Sequence, residues 1–151
     1  LEQQEVKIFL GADHNGFELK EKVHALLLEL GHEVIDKGDE RFDKDDDFPR
    51  YAARVANEVL LHDHSLGILV CGSGQGICMA ANRFKGIRAA VAWDEESAHD
   101  ARHDDDSNIL CLPARQLSWP EAKEIIDTWL STEFSGAARY RRRNQQMDEL
   151  H

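Results

Sequence analysis

Residues 70–77 read VCGSGQGI. Cys71 ends an apolar run, LGILV (66–70), and Gly72, Gly74 and Gly76 follow at alternate positions. Small residues spaced in this way let backbone N–H groups converge on an anion, and a helix opening there adds its positive end. A thiol in such a field is biased toward thiolate. Cys71 is therefore a candidate nucleophile or general base, and Ser73 offers a hydroxyl to a developing oxyanion. Two other readings stay open. Cysteines at strand ends are often small buried hydrophobes, which suits Cys78 and Cys111. GSGQG could also cradle a dinucleotide, with Asp94 at a later strand end as the ribose acid. Against that, Ile77 occupies the slot of the third glycine in GxGxxG.

Other residues have chemistry-bearing types. Asp13 and His14, in GADHNG, follow an apolar run and would bring a carboxylate and an imidazole to a ligand crevice. Their plainer role, shared with Asn15, is to cap the next helix. Arg139 and Arg143, in ARYRRRN, lie four apart and so share a helix face suited to a phosphate. A solvated basic face is the alternative. His99 and His103 are also four apart, a zinc-compatible spacing. The glutamate of HExxH is missing and no third ligand is evident, so a polar surface helix is the simpler expectation.

The elements that must position these groups alternate. VKIFLGA (6–12), HEVID (32–36), LGILV (66–70), GIRAAVA (86–92) and NILCLPA (108–114) read as strands. Helical patterns separate them: 17–30 with Gly31 as stop, a helix from Pro49, 76–84, 95–103, and a helical C-terminus. This βαβ order predicts an α/β fold, a Rossmann-like three-layer sandwich around a five-stranded parallel sheet. Ligands of such sheets bind beyond the carboxyl ends of the strands, here GADHNG, CGSGQG, AWDEES and LPARQ. The acidic stretch 37–48 reads as a solvated loop.

A chain of 151 residues fits one domain, 1–151. Its formal charge of −11 argues against a nucleic-acid partner. No apolar run approaches the ~20 residues of a membrane span. LEQQEVK lacks the pattern of a secretory leader, and three cysteines form no CxxC pair, so a reducing cytoplasmic setting is expected.

Taken together, these segments resemble the type B ribose-5-phosphate isomerase family, which includes the galactose-6-phosphate isomerase subunits. The likeness runs from KIFLGADHNGFELK through EVIDKG, DDDFPRYA, GILVCGSGQGICMAANRFKGIRA and SNILCLPAR to the C-terminal arginines. It implies a metal-free, cofactor-independent aldose–ketose isomerase for a phosphorylated sugar of the ribose 5-phosphate type. It also implies a homodimer or dimer of dimers with shared sites, the helix at about 137–150 reaching the partner. By resemblance, Cys71 is the base that forms a cis-enediolate. Ser73 and the turn Gly72, Gly74, Gln75 and Gly76 hold its oxyanion, and Asp13 contacts sugar hydroxyls. His14, Arg115, Arg139 and Arg143 bind phosphate. Where the family carries a ring-opening His-Asn pair, this chain has Asp104 and Asp105, with His103 one residue early. A loop tyrosine of the family is Phe48 here. The alternatives are an isomerase for an acyclic tetrose 4-phosphate and a non-catalytic sugar-phosphate-binding subunit.

Overall fold

Aliphatic runs too short for helices form five strands: β1 (Lys7–Ala12), β2 (Glu33–Asp36), β3 (Leu66–Cys71), β4 (Ala89–Val91) and β5 (Ile109–Pro113). The structure, a computed structural model, describes residues 4–150; residues 1–3 and 151 of the expected 1–151 domain lie outside the described residues. All pairings are parallel, in the order β2-β1-β3-β5-β4. The predicted parallel α/β sheet is therefore present.

Alternation along the strands divides the core in two. Ile8, Leu10, Ala12, Ile68, Val70, Leu110 and Leu112 face one side. There they meet α1 (Phe17–Glu29), α4 (Glu95–His103) and α5 (Trp119–Ser131) through Val23, Leu27, Ala98, Ala101, Ile125, Ile126 and Trp129. Phe9, Leu69, Cys71, Ile109 and Cys111 face the other side, toward α2 (Phe48–Leu61) and α3 (Gln75–Ala81). Burial on both faces is why these strands read as continuous apolar runs. A last helix, α6 (Ala138–Asp148), is mostly polar, and Asn144 is its buried residue.

Helix starts follow the sequence. Pro49 occupies the first turn of α2, and Asp94 and Ser118 make capping boxes with Ser97 and Glu121. The fourth strand is shorter than its apolar run. Gly86 has φ +92°, Ile87 closes a turn onto Phe84, and the Arg88 N–H donates to the Asn108 side chain instead of a neighbouring strand. Among the described residues, no helix is long and apolar enough to cross a membrane.

The order of strands sets where a ligand fits. From β1 the chain moves outward to β2, then returns across β1 to β3. In open parallel sheets the helices on either side of such a reversal diverge, and the ligand crevice falls there, at the carboxyl ends of β1 and β3.

Candidate active site

Register puts Ala12 opposite Val70, so the next residue on each strand, Asp13 and Cys71, stand beside one another at this crevice. The Asp13 N–H donates to the Val70 carbonyl at 3.3 Å. Cys71 pairs with Pro113 on β5, and just beyond, the Arg115 N–H donates to the Gly72 carbonyl at 3.0 Å. Three strand ends thus bring Asp13, Cys71 and Arg115 together.

The turn after Cys71 has a specific shape. Gly74 takes φ +74°, a conformation that L side chains resist, and its N–H donates to the Cys71 sulfur at 3.1 Å. The Ser73 hydroxyl accepts from the Gln75 N–H at 3.3 Å. A side chain at Gly72 would lie 2.8 Å from the Arg115 guanidinium carbon, and one at Gly76 would lie 2.8 Å from the Phe48 ring. The glycines therefore make room for a cation on one flank and an aromatic ring on the other. Cys71 is buried but for 6% of its surface.

The remaining thiols behave as the plainer reading expects. Cys78 donates to the Ala89 carbonyl at 3.3 Å. Burial pushes the Cys111 thiol well above its ordinary value, and contact with Cys78 adds to this. Asp94 is occupied as a helix cap, accepting from the Ser97 N–H at 2.8 Å. That use of its carboxylate removes the main support for a dinucleotide loop.

Asp13 does cap a turn: its carboxylate accepts from the Gly16 N–H at 3.2 Å, at the head of a 3-10 turn, His14–Gly16. It is also 5% exposed at the crevice. Burial raises its pKa, against the Gly16 bond and the nearby His14, which favour the charged form. His14 sits beside it, with Arg115 near enough to act on its charge.

The acidic loop is not wholly solvated as expected. Asp46 turns inward until its side chain is 1% exposed, and its Oδ1 accepts from both the backbone N–H of His14 (2.9 Å) and the ring Nδ1 (2.7 Å). Nothing in the run Asp43, Lys44, Asp45, Asp46, Asp47 distinguishes the buried carboxylate from its neighbours. Asp13, His14 and Asp46 are the grouping among the described residues whose donor atoms come within 4.8 Å of one another. The Asp46 Oδ1 and the His14 Nδ1 are already spent on each other, which makes them a hydrogen-bonded pair rather than a ligand set. His99 and His103 stack face to face at 5.0 Å, and their Nδ1 atoms meet Asp100 and Asp104. They form a polar helix surface, as the simpler expectation had it.

The other sequence candidates lie elsewhere. In a parallel sheet the helix after a strand runs back, so the end of α4 and residues 103–105 sit at the amino edge of the strands. Arg88, which precedes β4 there, bonds the Asp148 carboxylate at 2.9 and 3.1 Å and the Asp105 carbonyl at 3.2 Å. This anchors α6 at the same edge. Arg139 donates to the Tyr140 hydroxyl at 3.1 Å, and Arg143 lies over the Tyr140 ring at 5.9 Å. His103 bonds Asp104 at 2.7 Å and meets Tyr140 edge-on. Burial raises the Asp105 pKa, and the charges of Asp104 and Asp100 add to it. At ~3.3 Å per residue, the length of β3 separates this edge from Cys71 by roughly 20 Å. Within one chain, Arg139, Arg143, His103, Asp104 and Asp105 do not join Cys71.

A doubly covered parallel sheet, a switch-point crevice and a thiol held at the N–H of a glycine turn define an α/β protein built to act on a small anionic ligand. The family model described as Ribose/Galactose Isomerase matches residues 8–147, and the chain belongs to that family. Ribose-5-phosphate isomerase B of Escherichia coli (strain K12) is 43% identical over 136 residues, covering 90% of this chain and 91% of that protein. The probable ribose-5-phosphate isomerase B of Mycoplasma pneumoniae is 42% identical over 135 residues, covering 89% of each. The crystal structure of the Thermotoga maritima ribose 5-phosphate isomerase superposes with a TM-score of 0.92 at 44% identity, covering 97% of this chain and all of that one. That of the Mycoplasma genitalium enzyme with bound ribulose 5-phosphate has a TM-score of 0.91 at 40% identity, covering 95% and 94%.

Proposed function

We propose that the protein interconverts an aldose phosphate and a ketose phosphate, with Cys71 as the base. The observation that carries this reading is the Cys71 sulfur, held 3.1 Å from the Gly74 N–H at the crevice between β1 and β3. The kinship with ribose-5-phosphate isomerases, one of which binds ribulose 5-phosphate, supports the substrate class. The Cys71 thiolate removes the C2 proton of the open-chain aldose. Electrons move onto the C1 carbonyl oxygen and give a cis-enediolate. The proton returns to C1, and the O2 proton passes to O1, which leaves a ketone at C2. Ser73 and the N–H groups of the turn 72–76 stabilise the oxyanion. Asp13 holds sugar hydroxyls, and His14 and Arg115 meet the phosphate. No redox change leaves the substrate, so the reaction calls for no redox cofactor.

Arg139, Arg143 and residues 103–105 reach such a site only from a second copy, because their own chain carries them at the far edge of the sheet. The working unit is accordingly a homodimer or a dimer of dimers with composite sites. Its setting is the cytoplasm.

A second reading concerns the sugar. His103 is tied to Asp104 and packed against His99 and Tyr140. The other groups at this edge that could open a sugar ring are the carboxyls of Asp105 and of Asp104, the latter bonded to His103. This favours an acyclic substrate such as a tetrose 4-phosphate. A non-catalytic sugar-phosphate-binding subunit is the third alternative. The deciding experiment is turnover of a panel of aldose and ketose phosphates, followed by loss of label from C2-deuterated substrate. Turnover with exchange supports the isomerase, and absence of both across the panel in an assembled oligomer overturns it.

A further inference from the structure

Asp46 comes from a stretch rich in exposed acids, yet its carboxylate is almost wholly buried against His14. The loop is fastened to deliver it. Lys20, fully buried in α1, donates to Asp36 at 2.6 Å and to the Asp39 carbonyl. Asp36 accepts from the Gly38 N–H at 2.8 Å. Gly38 and Asp39 exchange backbone bonds with Ala12 at 2.8 and 2.9 Å, one residue before Asp13. Phe42 then packs edge-on to the imidazole, with ring centres 6.3 Å apart.

Resting on the reading of His14 as a phosphate ligand, we infer that Asp46 is its positioning residue: the buried carboxylate grips the imidazole by Nδ1 and keeps the ring an imidazolium whose Nε2–H meets the phosphate of the sugar substrate. A carboxylate can only accept, so the short contact makes Nδ1 a donor and leaves Nε2 to the crevice. An imidazole gripped this way is held in one orientation and carries its second proton more readily. The pKa of His14 is accordingly raised, chiefly by the bond to Asp46. Partial burial opposes this, Asp13 adds to it, and Arg115 subtracts.

Asp39 faces the same carboxyl from the other side, with the Tyr51 hydroxyl against it. The second oxygens of both Asp39 and Asp46 are buried without a donor. A rival arrangement therefore exists, in which Asp46 carries the proton and shares it with Asp39 while the imidazole is neutral. The two arrangements give opposite titrations.

The test is Asp46→Asn. Asparagine keeps an oxygen for the two N–H groups of His14 and turns an amide toward Asp39, so the loop keeps its bonds and loses one charge. Histidine resonances of the whole protein are titrated by NMR between about pH 5 and 9, with His14→Gln to assign the signal. Binding of inorganic phosphate is measured over the same range. Expected in Asp46→Asn is a His14 midpoint below that of wild type. Phosphate should bind about tenfold more weakly near pH 7.5, since bonds to charged donors are roughly twice as strong as neutral ones. At acid pH, where both imidazoles are charged, the two affinities should converge. Asp46→Glu should restore part of the midpoint. An unchanged midpoint means that Asp46 holds the proton and overturns the inference. A lowered midpoint with an unchanged phosphate profile overturns the phosphate role of His14, and the inference with it. Neither measurement needs turnover, so failure of the isomerase reading would show separately, in the wild-type kinetics.

Discussion

The Gly74 N–H donates to the Cys71 sulfur at 3.1 Å, and Gly74 can aim that bond because it sits at φ +74°. A donor fixed by backbone geometry holds the sulfur in place without competing for the substrate proton. Removing the sulfur should cost far more than removing either neighbouring thiol. Cys71→Ala should lower kcat by at least the ~10²–10⁴ typical of acid–base loss. Cys78→Ala, which gives up a bond to the Ala89 carbonyl and one from the Asn82 amide, should leave turnover close to wild type. Equal, mild losses from the two variants in steady-state kinetics would remove Cys71 from the mechanism.

Gly72 and Arg115 make a second test. A methyl at Gly72 would approach the guanidinium carbon to 2.8 Å and Nε to 2.9 Å, so Gly72→Ala should displace Arg115. KM for the phosphorylated substrate should rise more than kcat falls. If the displacement is the whole effect, Gly72→Ala in an Arg115→Ala background should add little. A double-mutant cycle reads this directly, and additive losses would show that Gly72 acts on the turn and not through Arg115.

Composite sites predict complementation. A Cys71→Ala chain still offers Arg139 and Arg143, and an Arg139→Ala/Arg143→Ala chain still offers Cys71. Mixed and allowed to exchange, half the dimers pair unlike chains, and each of these holds one intact site. Activity should return to about a quarter of wild type. Native mass spectrometry of the mixture confirms that mixed dimers have formed; their presence without activity would show that the arginines of one chain do not complete the site of the other.

The acidic edge at residues 103–106 bears on the sugar. A pentose 5-phosphate closes through its C4 hydroxyl and must be opened before C1 and C2 react. In a tetrose 4-phosphate that oxygen carries the phosphate, so the chain stays open. Neutral imidazole shuttles a proton near neutral pH, a task for which a carboxyl is less suited even where burial raises its pKa, as at Asp105. Comparing kcat/KM for the two substrates should therefore favour the tetrose. A strong preference for ribose 5-phosphate that collapses in His103→Ala would instead assign ring opening to His103.

Much of this was legible along the chain. Apolar runs bounded by glycine and helix caps announced the five strands, and βαβ alternation announced that they lie parallel. Strand ends then identified Asp13, Cys71 and Arg115 as neighbours of a crevice, because in such a sheet every carboxyl end faces the same edge. GADHNG and CGSGQG carried enough pattern to point to the family. These features depend on local periodicity and on turn chemistry, which one sequence displays.

The fold alone decided the rest, since it depends on which segments return to one another. The order β2-β1-β3-β5-β4 put Cys71 beside Asp13 on one flank and Pro113 on the other. The reversed course of α4 carried Asp104 and Asp105, close in sequence to β5, to the edge opposite Cys71. Asp46 is chemically identical to the exposed acids around it. Only the bonds that tie Asp36, Gly38 and Asp39 to Lys20 and β1 turn that one carboxylate inward onto His14. Burial of a single charge within an acidic run is a property of long-range closure, and no spacing along the chain encodes it.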